Sequence, residues 1–110
     1  MKLPNGDRAV VAIEKLRGYC LHPGHQRGRH KARVFAAALG LTQADADWLR
    51  QALLEAVSKF DCELGKMTPH GQRYVVDFPV SRHGQSARVR SVWNIRPDED
   101  FPRLVTCYVL

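Results

Sequence analysis

The sequence lacks several features that would place it in a familiar class of protein. No apolar stretch approaches the roughly 20 residues that a membrane-spanning helix needs, and the opening MKLPNGDR has no apolar core of a secretion signal. The cysteines Cys20, Cys62 and Cys107 are odd in number and form no CxxC pair, which argues against a disulfide framework and a zinc knuckle. These absences predict a cytoplasmic protein with buried free thiols.

Sequence signatures of common enzyme classes are also absent. Neither GxxxxGKS/T nor GxGxxG occurs, so no glycine-rich phosphate loop is predicted. The GxSxG elbow is missing, and no cysteine has a histidine in the pattern of a thiol enzyme. The acidic residues fall at predicted helix starts and turns, which argues against a paired-carboxylate hydrolase. The sequence therefore predicts no cofactor, and it does not indicate a small-molecule ligand.

What the chain has in excess is positive charge. Its 17 lysine and arginine residues outnumber 11 aspartate and glutamate residues, for a net charge of +6, and most of these cations are arginine. A guanidinium group can hold a phosphate by two hydrogen bonds and can stack on a base. The composition favours nucleic acid or an acidic protein as a partner; the alternative is a charge that only keeps the protein in solution.

Hydrophobic periodicity predicts a single domain over residues 1–110, with a helical first half and a strand-like second half. Thr42 and Asp45 resemble a capping box at the start of a helix, and Gly40 is a natural stop for the preceding one. The predicted helices cover residues 14–21, 29–39 and 42–60, and the predicted strands cover 72–80, 87–96 and 103–110, with a hairpin loop at 81–85 and an optional edge strand at 62–67. This order predicts an α+β fold, with N-terminal helices packed on one face of a C-terminal antiparallel β-meander of three or four strands.

The strongest candidate for a functional site is the segment 22–33, HPGHQRGRHKAR. Seven of its 12 residues are His, Arg or Lys, and it leads into the predicted start of a helix. Helix N-termini present unpaired N–H groups and a positive dipole end, which suits an anion such as phosphate. His22, His25 and His30 have ligand-like spacing. However, the segment has no acidic residue and several arginines, so we expect no metal.

The residue types present suit metal-free cleavage of RNA, which needs a base, an acid and cations near the phosphorus. We expect His30 to transfer a proton, and Lys31, Arg90 and Arg29 to stabilise the charge of the phosphorane. Thr106 and Tyr108 alternate in the last strand and share a face, where they would orient the phosphate or donate a proton. The expected nucleic-acid-binding residues are His22, His25, Arg27, Arg29, Arg33, Arg88, Arg96 and Arg103.

The pattern leaves structural alternatives open for these residues. Thr106 and Tyr108 share their alternation with Leu104 and Leu110, so their face is either the core or the open side. His30 is alternatively a solvated residue at a helix start. The middle strand is predicted to carry arginines 88, 90 and 96 on the face away from the helices, where they would follow a phosphate backbone. The alternative is a surface neutralised by Asp77 and by the acidic turn at 98–100.

Several stretches resemble a small bacterial domain family of unknown function. They are LPNGDRAVVAIEKLRGYCL, GRHKARVF followed by ALGLT, HGQRYVVDF and RSVWNIRPDEDFPRLVTCYVL, and together they cover essentially the whole chain. The most specific parts are Gly28 with Lys31 and Ala32, and Pro102-Arg103-Leu104 with Thr106 and Tyr108. The resemblance implies a short gene beside another short gene, which is the layout of toxin–antitoxin pairs.

The order of elements is also similar to the barnase, EndoU, colicin and RelE group of metal-free RNase toxins. In barnase-like enzymes a sheet face binds RNA and a basic helix side chain contributes, which implies these roles for the middle-strand arginines and for His30 or Lys31. The chain departs from barnase because it has no clear glutamate base on the sheet. Asp77 is the only acid in the predicted strands, so the resemblance leaves the general base unassigned.

These observations support three hypotheses. The first is a toxin-type endoribonuclease that cleaves RNA by attack of the 2′-hydroxyl, with its basic face covered by an acidic antitoxin-like protein. The second is a basic domain that binds nucleic acid without cleaving it, which predicts salt-sensitive binding. The third is a protein-interaction partner, the antidote or scaffold of a neighbouring small protein. None of the three calls for a membrane.

Overall fold

A computed structural model describes residues 1–110 of the chain. Its helices are α1 (Ile13–Lys15), which continues as a π-helical turn over Leu16–Cys20, α2 (Arg29–Leu39) and α3 (Ala46–Lys59), with 3-10 turns at Gly6–Arg8 and Gln43–Asp45. Its strands are β1 (Glu63–Thr68), β2 (Gly71–Arg82), β3 (Gln85–Ile95) and β4 (Arg103–Val109). The helices precede the strands along the chain, which confirms the predicted α+β class.

The four strands form one antiparallel meander in the order β1-β2-β3-β4. The predicted hairpin loop at 81–85 is wrong, because β2 and β3 stay paired up to Arg82 and Gln85. Only two residues make the turn, His83 with φ 50° and Gly84 with φ 79°. Two successive positive φ angles let a hairpin reverse within two residues while matching the twist of its strands. β1 and β4 are the edge strands.

The helices pack on one face of this sheet and share a single apolar core with it. The predicted stripe of α3 is buried at Leu49, Leu53, Ala56 and Val57, whereas Phe60 follows the helix and is half-buried. The alternation of the middle strands also holds, with Val76, Phe78, Val89 and Trp93 buried towards the helices. None of the helices combines the length and the apolar character needed to cross a membrane.

The N-terminal segment joins the sheet at its far edge. The extended conformation predicted for residues 9–13 is present at Val10, which forms an isolated parallel bridge with Arg103 of β4. The next segment is helical, as expected, although five of its eight residues, Leu16–Cys20, are π-helical. This bridge brings α1 and the loop after it alongside β4.

A β-bulge in β4 decides which side chains face the core. Thr106 pairs with Val92 and Leu104 pairs with Trp93, so Val105 is an extra residue on β4. A bulge of this kind interrupts the alternation of faces along the strand. Leu104 therefore lies in the core, while Thr106 and Tyr108 lie on the face away from it. This settles the choice that the sequence pattern left open.

Ser91 is the one polar side chain buried in the core. Its hydroxyl donates to the carbonyl of Val76 at 2.8 Å and accepts the indole N–H of Trp93 at 2.9 Å. We expect Ser91→Ala to lower the free energy of unfolding by about 1–2 kcal/mol, because the buried indole N–H loses its acceptor. Urea unfolding measures this. In the control Ser58→Ala, an exposed serine of α3, the change should stay within about 0.5 kcal/mol; equal losses would contradict the prediction.

Candidate functional site

Four side chains meet at the outer edge of β4, and we call them the edge site: Tyr19, Lys31, Thr106 and Tyr108. Lys31 projects from the first turn of α2 and donates to the Tyr19 hydroxyl at 3.0 Å. Its amine lies 5.0 Å from the ring centre of Tyr19 and 5.9 Å from that of Tyr108. Two aromatic faces attract a cation, so the ammonium group is held in one place by both contacts.

Two open cavities lie at the edge site, and Lys31 lines the smaller of them. The larger, of about 650 Å³, is lined by Lys15, Tyr19, His25, Arg27 and Thr106 among others. The smaller, of about 360 Å³, is lined by His30, Lys31, Val34, Tyr108 and Val109. The hydrogen bond between Lys31 and Tyr19 links the walls of the two cavities. The predicted residues His30, Lys31 and Tyr108 thus share one cavity, and Thr106 lies in its neighbour.

The basic loop is ordered by its own histidines. The Nδ1 atom of His25 accepts the backbone N–H groups of Arg27 and Gly28, both at 3.0 Å, and Nδ1 of His22 accepts that of Gly24 at 2.9 Å. A nitrogen that accepts these bonds carries no hydrogen, so the hydrogen of neutral His25 is on Nε2. The His25 ring also packs edge-on against Tyr19, with 4.9 Å between the ring centres.

Gly28 lets this loop approach α1 closely. A Cβ atom at Gly28 would overlap the backbone carbonyl oxygen of Tyr19. The residue is buried, and it precedes α2 directly. The first turn of α2 has no side-chain cap and no acidic residue, and it carries Arg29, His30 and Lys31. The end of the helix that favours anions therefore carries Lys31 of the edge site.

Arg90 lies opposite Tyr108 in the β3–β4 ladder and is fixed by Asp77 of β2. Its Nε and Nη2 donate to the two carboxylate oxygens of Asp77 at 2.9 and 2.8 Å. This hydrogen-bonded pair lowers the pKa of Asp77 and raises the pKa of Arg90, which the Tyr108 hydroxyl raises further. A guanidinium has five N–H donors, so Asp77 orients Arg90 and leaves the remaining donors for a ligand.

The ion pair makes stability depend on Asp77 in a defined range of pH. The pKa of Asp77 is lower in the folded state than in the unfolded state. Its contribution to the free energy of unfolding is therefore fully present above the unfolded pKa of about 3.9. It is lost as the pH falls through the lower folded pKa. We expect Asp77→Asn to be less stable than the parent at pH 7, with a difference that shrinks below about pH 4. Urea unfolding across this range tests it; a difference independent of pH would contradict it.

Three other predicted basic residues, Arg88, Arg96 and Arg103, line neither cavity of the edge site. Arg88 shares the open sheet face with Arg90, whereas Arg96 lies beyond the end of β3, so its predicted place on that strand is wrong. Arg96 lies 3.9 Å from Glu99, and Arg103 makes two hydrogen bonds to Glu99 at 2.9 and 2.8 Å. Because the acidic turn follows β3 directly, it neutralises these two arginines.

The basic residues of the loop and of α2 diverge. Arg27 and His25 line the larger cavity of the edge site, and His22 lies near them, 6.4 Å from His25 between ring centres. Arg29 and Arg33 line a separate cavity of about 400 Å³ with Leu21 and Pro23. The helical period sends these two arginines and Lys31 to different sides of α2.

One residue of the edge site was not predicted. Tyr19 has no motif around it, and its contact with Lys31 shows its place. Asp77 was predicted, in the alternative interpretation, to neutralise the arginines of the middle strand; the structure pairs it with Arg90, and this pairing depends on the β2–β3 register. That register follows from the two-residue turn, so a correct turn assignment would have revealed the pair.

An α+β domain with a basic, aromatic-lined edge is the class that this fold and site define. Residues 2–110 match the family described as Domain of unknown function (DUF6883), and the chain belongs to that family. The match extends over every element that contributes to the edge site. A search of curated proteins found no match.

Proposed function

We propose that this protein is a metal-independent endoribonuclease of the toxin type, which cleaves RNA by attack of a 2′-hydroxyl on the adjacent phosphorus. The observation that supports this best is the ammonium group of Lys31, which contacts Tyr19 and Tyr108 and lines an open cavity. Negative charge grows on the phosphoryl oxygens during attack. A donor already oriented towards that charge stabilises the transition state more than the substrate.

The neighbouring hydroxyl groups and arginine complete a site for a phosphodiester. In this proposal the scissile phosphate lies over Lys31, and Thr106 and Tyr108 donate hydrogen bonds to its free oxygens. The free N–H groups of Arg90, oriented by Asp77, add charge on the Tyr108 side. Preorganised donors of this kind stabilise the charge of the transition state because they are already in position, and they form no covalent bond with the substrate.

Proton transfer is assigned to histidine. His30 is exposed and lines the same cavity as Lys31 and Tyr108, and an imidazole can accept a proton or donate one. It would take the proton of the 2′-hydroxyl, and the Tyr108 hydroxyl in the same cavity would donate a proton to the departing 5′-oxygen, to give a cyclic phosphate and a new 5′-hydroxyl. His25 offers its Nε2–H towards the larger cavity as a hydrogen-bond donor. Its Nδ1 is already engaged.

The flanking basic residues supply contacts to the rest of the RNA. Lys15 and Arg27 line the larger cavity, and Arg88 extends the basic surface along the open face of β3. Binding should therefore weaken as salt rises. An acidic antitoxin-like protein is the partner we propose, because Arg27, Arg29 and Arg33 are exposed and the net charge is +6.

End-labelled RNA incubated with the purified protein in EDTA tests the proposal. Cleavage to fragments that end in a cyclic phosphate is the expected result. RNA that is bound in a salt-dependent manner but stays intact would overturn the proposal and support the nucleic-acid-binding hypothesis. Intact, unbound RNA, together with rescue of growth rather than arrest on induction, would support the antidote or scaffold hypothesis.

A further inference from the structure

The turn at residues 25–28, which leads into α2, is closed by one ring nitrogen. Nδ1 of His25 accepts the backbone N–H groups of Arg27 and Gly28, each at 3.0 Å. Neither N–H group has another hydrogen-bond partner. The closed turn therefore depends on a nitrogen that carries no hydrogen.

The backbone of His25 is fixed on both sides of this ring. Its N–H donates to the carbonyl of His22 at 3.2 Å, and its carbonyl accepts the N–H of Arg29, the first residue of α2, at 2.9 Å. The ring itself packs edge-on against Tyr19. Because these contacts place both the main chain and the ring, a change at Nδ1 acts on the two N–H groups that have no other partner.

The closed turn also fits against the π-helical turn of the edge site. Gly28 is buried so close to Tyr19 that a Cβ atom would overlap the Tyr19 carbonyl oxygen. The Tyr19 hydroxyl in turn accepts the hydrogen bond from Lys31. The His25 ring, Gly28 and Lys31 thus all contact the same residue, so an opening of the turn reaches the edge site.

Several charged and titratable groups surround the His25 ring. Those that share its cavity or contact the ring are Glu14, Lys15, Tyr19, Arg27 and His22. Lys31 of α2 joins them through the Tyr19 hydroxyl, and β4 adds only Val105 and Thr106, which do not ionise. Glutamate and histidine are the residue types among them that take up protons in mild acid. A test must therefore separate His25 from Glu14 and His22.

We propose that His25 is an acid-sensitive closure of the 25–28 turn, which the neutral ring holds shut and the protonated ring opens. A proton taken up at Nδ1 converts the acceptor into an N–H donor. This donor faces the N–H groups of Arg27 and Gly28, so the protonated ring and the closed turn exclude each other. In the open form Gly28 leaves Tyr19, and the contact between Tyr19 and Lys31 loosens.

The inference rests on the hydrogen bonds of this turn and holds whether or not the protein cleaves RNA. NMR of the ¹⁵N-labelled protein tests it from about pH 8 to about pH 4, a range that spans the titration of histidine. Long-range ¹H–¹⁵N spectra report which ring nitrogen carries hydrogen. Amide hydrogen exchange, corrected for the intrinsic rate at each pH, reports whether the turn is closed.

At the alkaline end we expect Nδ1 of His25 to carry no hydrogen and the amides of Arg27 and Gly28 to be protected from exchange. As the ring takes up its proton, both amides should lose about tenfold in protection, the order expected for the loss of one hydrogen bond. The amide of Leu53, in the buried stripe of α3, should stay protected, which distinguishes a local opening from acid unfolding.

Two matched variants isolate the proton on His25. His25→Asn supplies a side-chain oxygen that accepts the N–H two residues on and takes up no proton, so its turn should stay closed across the range. It retains Glu14 and His22. His83→Asn removes an imidazole from the β2–β3 turn, where φ is 50°, a conformation that asparagine tolerates. Its 25–28 turn should open as in the parent.

Three results would overturn the inference. The first is a neutral His25 ring that carries its hydrogen on Nδ1. The second is a ring that titrates while the amides of Arg27 and Gly28 keep their protection. The third is a His25→Asn protein whose turn opens at the same pH as the parent. The first two are read from the parent protein, so the outcome does not depend on whether a variant folds.

Discussion

Replacing Lys31 by methionine is expected to lower the rate of RNA cleavage by about 10²- to 10³-fold, the range found when one preorganised donor is removed from a transition state. Methionine keeps much of the side-chain length and the apolar contact with Tyr19 and Tyr108 but removes the charge. The loss should appear in the rate of single-turnover cleavage at saturating protein, where RNA binding no longer limits. That measurement separates Lys31 from residues that only attract RNA.

The matched control is Lys66→Met. Lys66 is an exposed lysine of β1, at the opposite edge of the sheet from the edge site, so the substitution and the change in net charge are the same. We expect its single-turnover rate to stay within about twofold of the parent, since exposed charges at this distance are largely screened. Equal losses in both variants would indicate a general effect of charge. An unchanged rate of single-turnover cleavage in Lys31→Met would show that Lys31 does not stabilise the transition state.

Gly28→Ala is expected to lower the free energy of unfolding by about 2–3 kcal/mol, the upper part of the range for inserting atoms into a packed region. The φ angle of Gly28, −90°, is one that alanine adopts freely, so the cost comes from overlap with the carbonyl oxygen of Tyr19. Relief of that overlap moves the loop away from α1. Movement of the loop weakens the two hydrogen bonds that the backbone N–H groups of Arg27 and Gly28 donate to His25. It also shifts Lys31, so we expect the rate of RNA cleavage to fall as well.

Gly18→Ala is the control for the glycine change. A Cβ atom there meets only a carboxylate oxygen of Glu14, at 3.2 Å, and that flexible side chain can move. We expect the stability of this variant to stay within about 0.5 kcal/mol of the parent. Urea unfolding of both variants provides the comparison. A Gly28→Ala protein as stable as the parent would show that the loop does not need its close approach to Tyr19.

The helices and most of the sheet could be predicted because local signals agree with the tertiary structure. α2 has its predicted bounds since Gly40, with φ 67°, ends it where the apolar pattern stops. The next helix begins after a capping box in which Thr42 and Asp45 exchange hydrogen bonds. The loop of the β2–β3 hairpin was predicted too long. The two-residue turn depends on a positive φ angle at His83, and histidine adopts such an angle too seldom for the sequence to predict it.

The site was predictable only in part, because its geometry depends on contacts between distant segments. Lys31, Thr106 and Tyr108 stand in recognisable stretches, yet their common location depends on the bulge at Val105, for which the sequence carries no glycine or other local mark. Tyr19 lies 12 residues before Lys31, and nothing in that spacing links them. Charge pairing at Glu99 likewise follows from the course of the turn after β3.

The separation of its parts along the chain also makes the edge site a late product of folding. The β2–β3 hairpin closes through a two-residue turn, so its pairing costs little chain entropy and forms early. The contact between Cys20 and Thr106 spans 86 positions, and it must wait until α1 docks on the completed meander. In a partly folded chain, the central strands of the sheet would be native while the edge site is still unassembled. We expect the contacts between the π-helical turn and β4 to be the first to open in the native protein.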